Sequence, residues 1–401
     1  MSTLADKNNY DFKYFLILMQ SVLNNTEVPL PEQKVNWHNI YDISVKHSLA
    51  GMLYFAIEKL NNKDKPTGDF MPYLEQMYRE QIVADLNLNF ETQRILELLS
   101  SEGIKCLPVK GIVTKADYPV PHLRTMSDVD ILCESENRLK AEKIFLDNSY
   151  IKESVGEKDT SYRKEDILHF ELHTSLLTAE SPAYDYFGSV WDRVNFKENS
   201  NIAVMTLEDT YIFMLEHLAN HIEFGGAGIR MYMDVYVFLK NHGSSINRKY
   251  IDKVLNDILL ADFEKKTVAI SNNWFSGSEE IDSTSDASMF ILDSCTFGRS
   301  KITFLSDNLR NNKDNTAAQN GLRRIFRKLF PSFKWMKLRF KAVNKVPLLY
   351  PVFVPVHLFD RLFIRKNIKT SNIGSYFTSA ESEEAIKLMG VFTSLGLEKR
   401  I

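Results

Sequence analysis

The sequence predicts an α+β fold, a small mixed-sheet core embedded between helical N- and C-terminal regions, and three observations predict it. Apolar residues recur at three- and four-residue spacing across residues 11–23, 37–60 and 73–101, the signature of helices with one buried face. Short apolar runs at 104–109, 129–133 and 167–177 then break that period; the second and third read as strands on either side of a helical stretch at 136–148. Helical periodicity returns after Thr206.

In chain order, the third helix stops at Gly103 and the first strand runs to Val109. A Lys110-Gly111 turn follows, then a short helix to Tyr118 and a loop broken by Pro119 and Pro121. Thr206-Leu207-Glu208-Asp209 reads as a capping box, so a helix is expected from Leu207 towards Glu223, closed by Gly225-Gly226. Another is expected over 229–240, closed by Asn241-His242-Gly243, and one more after Asn247 to about Phe275. Residues 276–288 read as a Ser- and Asp-rich loop and 308–320 as a polar, mobile stretch. A chain of 401 residues has room for two or three cores, and we divide it into a helical N-terminal region (1–100), an α/β core (101–205), a helical region (206–300) and a basic, aromatic C-terminal region (301–401).

Composition excludes several classes. Hydrophobic and charged fractions of 44% and 25% are those of an ordinary globular protein. The three cysteines, Cys106, Cys133 and Cys295, lack the close spacing of a zinc knuckle or a dithiol redox site. The polar start and the absence of a long apolar run give no export signal and no bilayer span, so a cytoplasmic protein is expected, with the inner-membrane periphery as the alternative. The net charge of −3 conceals an asymmetry: between Arg323 and Lys369 thirteen basic residues face one acid, Asp360. Interleaved with aromatics such as Phe326, Phe330 and Trp335, they suit an anionic membrane surface or RNA, and equally an aromatic cover over the core with solvated charges.

Chemistry concentrates in Arg124-Thr125-Met126-Ser127-Asp128-Val129-Asp130-Ile131-Leu132. Strand alternation puts Asp128 and Asp130 on one face and sends Val129 and Ile131 into the core. Two adjacent carboxylates repel unless a cation lies between them, which asks for a hard divalent metal with oxygen ligands. The run Leu168-His169-Phe170-Glu171-Leu172-His173 offers Glu171 as a third ligand by the same alternation. Three such carboxylates can hold two Mg²⁺ about 4 Å apart, with Mn²⁺ as a substitute, and so clamp both the attacking and the leaving oxygen of a phosphoryl displacement. Lys110-Gly111 stands at a helix start, where free amides favour a triphosphate and Gly111 permits close backbone approach. Lys110 and Arg124 would neutralise phosphate charge. His173 is either a proton acceptor or orienting group for an acceptor hydroxyl, or a satisfied buried histidine. His217 and His221, four apart on one helix, could bind metal with Asp234, but His-Leu-Ala-Asn-His lacks the intervening Glu of metalloproteases; structural or substrate-orienting imidazoles fit better.

The series Leu107-Pro108-Val109-Lys110-Gly111, Tyr118-Pro119, Arg124, Met126 to Leu132 and Glu171-Leu172-His173 resembles the bacterial uncharacterised nucleotidyltransferase family of the polymerase-β nucleotidyltransferase superfamily. The segments around His217, His221, Arg230 and Asp234 are similar to it too, so that the resemblance spans roughly residues 35–260. It implies a nucleotidyltransferase core in which Asp128, Asp130 and Glu171 are catalytic and metal-binding; Lys110, Gly111, Arg124, Ser127 and His173 are the residues expected from the reading above to bind substrate. The implied reaction moves a nucleoside monophosphate from an NTP such as ATP to an acceptor, with release of pyrophosphate. One departure stands out: Gly111 is followed by Ile112, where the superfamily has Ser or Gly. The acceptor is not legible. A sugar, sugar phosphate or other small metabolite is the first expectation; a toxin-like transferase acting on tRNA and a non-catalytic nucleotide-binding scaffold are the alternatives.

Overall fold

The computed structural model describes residues 9–156, 158–165, 168–278, 280–296, 350, 351, 353, 355 and 380–400. The polar stretch at 308–320 lies outside the described residues, as does the basic segment 323–369 apart from residues 350, 351, 353 and 355. The fold is α+β, with helices on both sides of a five-stranded mixed sheet.

Four helices precede the sheet: α1 (Asn9–Asn24), α2 (Trp37–Lys46), α3 (Ala50–Glu58) and α4 (Met71–Ser101). The expected single helix over 37–60 is split, because Ser48 takes a left-handed φ of 55°. The break turns the Ser48 carbonyl towards Thr125, whose Oγ1 donates to it at 2.7 Å. Beside it the fully buried His47 bridges Leu292 O (3.0 Å) and the Ile229 amide (3.3 Å).

The strands are β1 (Cys106–Val109), β2 (Val129–Cys133), β3 (Ile151–Val155), β4 (Asp159–Lys164) and β5 (Leu168–His173), in spatial order β1-β2-β5-β4-β3. Among these five strands only β2 and β5 pair in parallel. That parallel pairing needs a crossover, which α6 (Arg138–Asp147) and the β3–β4 hairpin supply. The hairpin is absent from the sequence expectation, and its burial explains why: β3 is mostly exposed and β4 buries only Thr160 and Tyr162, too little apolar alternation for a pattern. One face of the sheet, with Val129, Ile131, Cys133, Phe170, Leu172 and Tyr162, packs on the end of α4 and on α6, where the Phe145 and Tyr162 rings stack at 4.6 Å. The other face carries Asp130, Glu171 and His173.

After a short helix α7 (Tyr184–Gly188) and the small ribbon β6 (Asn195–Phe196) and β7 (Ala203–Val204), the chain returns to helices. These are α8 (Leu207–Phe224), α9 (Ile229–His242), α10 (Arg248–Asp257), α11 (Ala261–Phe275), α12 (Asp286–Ser294) and α13 (Ala380–Ser394). Thr206 caps α8 as expected, its hydroxyl accepting from the Asp209 amide. The single helix expected after Asn247 is divided at Leu259, whose φ is 62°. Helices before and after the sheet share one apolar cluster, in which Phe12, Met52, Leu215, Tyr232, Trp274 and Phe392 all take part. The buried side chain of Arg400 is paired at 2.7 Å with both Glu216 and Glu223 of α8. No helix among the described residues is long and apolar enough to cross a membrane.

Candidate active site

The centre of the polar sheet face follows from register. The β2–β5 pairing sets Asp130 beside Glu171, and β1 sets Val109 opposite Asp130, so that Lys110 emerges at the strand end next to that carboxylate. Lys110 Nζ donates to Asp130 Oδ1. It does so from φ 60° and ψ −135°, a conformation that costs a non-glycine residue of order 1–3 kcal/mol and is kept only where surroundings enforce it. His173, further along the same face of β5, places Nε2 2.7 Å from Asp130 Oδ1 and 3.4 Å from Glu171 Oε2. One ligating atom each from Asp130, Glu171 and His173 lie within 4.8 Å of one another. Asp128, one residue before β2, stands outside that group, its Oδ1 accepting from Ser127 Oγ at 3.1 Å.

Charge in this cluster is unbalanced. Burial, then the neighbouring charges of Asp130 and Glu171, push the Asp128 carboxyl above its usual range. Burial opposes charge at Asp130 too, but Lys110 and the His173 hydrogen bond outweigh it and hold that carboxyl well down. At His173 burial works against protonation, and the bonds to Asp130 and Glu171 overcome it. Its Nδ1 is buried without a hydrogen-bond partner, 3.9 Å from Asp159 Oδ2. Two carboxylates bridged by His173, and a third carboxyl whose ionisation the others resist, form a buried acidic cluster that could hold a metal ion.

A second charged group lies behind the loop that leads into Asp128. Arg124 commits its guanidinium to Asp234 of α9, with Nη2 to Oδ2 at 2.7 Å and Nε to Oδ1 at 3.2 Å, and Tyr118 adds a third bond at 2.7 Å. Gly111 is required by this packing: a Cβ there would lie 2.5 Å from Arg124 Nη1 and 3.3 Å from Met126 Sδ. The glycine thus admits a guanidinium close to its backbone. Arg230, also on α9, donates from Nη1 to Thr125 O (2.8 Å) and Thr125 Oγ1 (2.9 Å), while its buried Nε has no partner. Burial and the Arg124 charge lower its pKa to about 10. Arg124 is thus ion-paired with Asp234, whereas Arg230 feels that carboxylate without bonding to it.

Lys158, at the tip of the β3–β4 hairpin, is a charged neighbour that sequence reasoning missed together with the hairpin. Burial and Lys110 lower its pKa, and it feels Asp130 and Glu171. The rings of His217 and His221 meet edge to face at 4.5 Å. Burial, then Lys110, holds both below the ordinary histidine range, His221 at about 4. No described residue hydrogen-bonds either ring.

A protein-family model described as an uncharacterised nucleotidyltransferase matches residues 33–276, from just before α2 to the end of α11. The chain belongs to this family. No curated protein and no solved structure matches it. Nucleotidyl transfer is therefore the general activity of this nucleotidyltransferase, and the matched span contains both charged groups described above.

Proposed function

We propose that the protein is a Mg²⁺-dependent nucleotidyltransferase of the polymerase-β type, with its catalytic centre at Asp128, Asp130 and Glu171. The observation that carries this reading is the convergence of Asp130, Glu171 and His173 on neighbouring parallel strands, within 4.8 Å of one another. Asp130 and Glu171 would hold the divalent ions, Mg²⁺ or Mn²⁺, with Asp128 as the third carboxylate. When bound, these would polarise the phosphoryl oxygens and neutralise developing charge.

The donor is an NTP such as ATP. An acceptor oxygen bonds to the α-phosphorus, the bond between that phosphorus and the α–β bridging oxygen breaks, and pyrophosphate leaves with the electron pair; the hydroxyl proton goes to solvent. His173 locks the Asp130 and Glu171 carboxylates in place through Nε2. Lys110, Lys158 and Arg230 supply positive charge for the polyphosphate. Arg124, whose fork is taken by Asp234, acts by positioning the Thr125–Ser127 loop, with Ser127 holding Asp128. The departure at Ile112 fits this division, since phosphate contact then rests on cationic side chains and not on a hydroxyl at the turn.

The test uses [α-³²P]ATP and the three other labelled NTPs, with Mg²⁺, on the full chain. Asp128→Asn and Asp130→Asn are each expected to lower label transfer by about a hundredfold or more while circular dichroism stays unchanged. Undiminished turnover in both would reject the site. Offering total RNA beside small hydroxylated metabolites distinguishes a tRNA-directed enzyme, which labels RNA, from one acting on a small acceptor.

A further inference from the structure

A cavity of about 450 Å³ lies next to the carboxylate cluster, between α4, the Lys110–Gly111 turn with the helix α5 (Gly111–Thr114) behind it, β7, α8 and α9. That volume is in the range of small-molecule sites. Its wall is mainly apolar and includes Leu96, Ile112, Met205, Phe213, Met214 and Met231. Three methionines from three separate segments give a lining that can adapt to the shape of an apolar guest.

Two residues join the cavity to the chemistry. Lys110 lines it and at the same time reaches Asp130 with Nζ. His217 lines it from α8, close enough to Lys110 and Asp130 to feel both charges, and its ring is neutral and without a hydrogen-bond partner among the described residues. Lys158 and Arg230 do not line the cavity. Two of the three cations assigned to the polyphosphate thus stand outside the cavity, and Lys110, which lines it, stands where the two would meet.

We propose that this cavity is the acceptor subsite, that the acceptor carries an apolar body the size of a ring or short chain, and that its hydroxyl hydrogen-bonds to His217. The role as acceptor site rests on the nucleotidyl-transfer reading; the apolar guest does not. A bare sugar is disfavoured, because the larger, apolar share of the wall would strip water from its hydroxyls without returning a hydrogen bond, while polar side chains such as Asn89, Gln93, Lys197 and Thr210 make up the smaller share. This narrows the acceptor from small metabolites in general to hydroxylated molecules with an apolar part.

The probe is 2-phenylethanol, with glycerol as the polar control, on the full chain and on two cavity-filling variants, Met205→Trp and Met231→Trp, each checked for wild-type circular dichroism. Calorimetry is expected to show 2-phenylethanol binding to the wild type, weakened about tenfold or more in the variants, with the affinity for Mg²⁺-ATP kept within about twofold. With [α-³²P]ATP present, label should pass to 2-phenylethanol in preference to glycerol. Absence of 2-phenylethanol binding, or equal binding by wild type and both variants, overturns the proposal. So does loss of Mg²⁺-ATP affinity in the variants, which would make the cavity a pocket for the base of the donor, and so does equal labelling of both alcohols, which leaves nucleotidyl transfer standing. Binding that the variants abolish, without labelling of either alcohol, supports the apolar subsite and counts against the transfer reading.

Discussion

Two buried carboxylates, Asp234 and Asp130, differ in how they are satisfied. Asp234 is gripped by both arms of Arg124 and by Tyr118, with Arg230 close by, so positive charge is in excess around it. Asp130 has Lys110 and His173, but Glu171 and Asp128 crowd in, so negative charge is in excess. A region with surplus carboxylate invites a cation and one with surplus guanidinium invites an anion. A metal–polyphosphate complex offers both, and the Thr125–Ser127 loop leads directly into Asp128.

The comparison can be broken most forcefully at Asp234. Asp234→Ala leaves the buried Arg124 without its ion-pair partner and beside Arg230, and we expect a loss of roughly 3–5 kcal/mol in urea denaturation, with the loop disordered as a consequence. A loss under about 1 kcal/mol would show that water reaches these guanidiniums and that the positive region is not strained by its own charge.

The positive region should also resist an added proton. His47, which receives the Ile229 amide at the start of α9, has its pKa lowered to about 4 by burial first and, less strongly, by Arg230 and Lys46, against a favourable bond to Leu292 O. A histidine whose folded pKa lies below its unfolded one binds fewer protons when folded. Its contribution is therefore complete above about pH 6.5 and is lost as pH falls towards 4, amounting to about 3 kcal/mol. Denaturation at pH 7.5 and at pH 4.5 should show a drop that His47→Gln reduces; His217 and His221, lowered in the same direction, supply the remainder.

A smaller effect sharpens the role of the surplus guanidinium. Arg230→Gln is expected to raise the KM for Mg²⁺-NTP about tenfold, near 1.4 kcal/mol, with kcat less affected, because a cation that binds phosphate equally in the ground and transition states acts on binding. An unchanged KM would assign Arg230 to the Thr125 carbonyl alone. The smallest effect concerns Lys110. Lys110→Ala loses the bond to Asp130 and keeps the unfavourable φ, whereas Lys110→Gly loses the bond and relieves the backbone, so the glycine variant should be the more stable of the two by about 1 kcal/mol. Equal stabilities would mean that the turn relaxes when the side chain is gone.

The legible part of the molecule was local. The bounds of β2 and the inward direction of Val129 and Ile131 follow from alternation over five residues, and the α8 start follows from a hydroxyl three residues before an amide. The β3–β4 hairpin was illegible because an edge ribbon with polar faces carries almost no apolar period, and with it went Lys158 and Asp159. Ser48 and Leu259, which break two expected helices, sit in left-handed conformations that neither residue type announces.

Sequence alone determined which residue types could meet at a strand face: an Asp-x-Asp run, a Glu-x-His run, and a Lys-Gly turn ahead of them. Tertiary structure decided how those residues are shared out. Arg124 went to a carboxylate 110 positions away, His173 was brought onto Asp130 from 43 away, and the apolar cavity was assembled from segments between Asn89 and Asp234. The reason is one of range: side-chain direction along a strand is set by neighbours one and two bonds of the chain away, whereas the partner of a buried charge is whichever opposite charge the packing of distant elements leaves within about 3 Å.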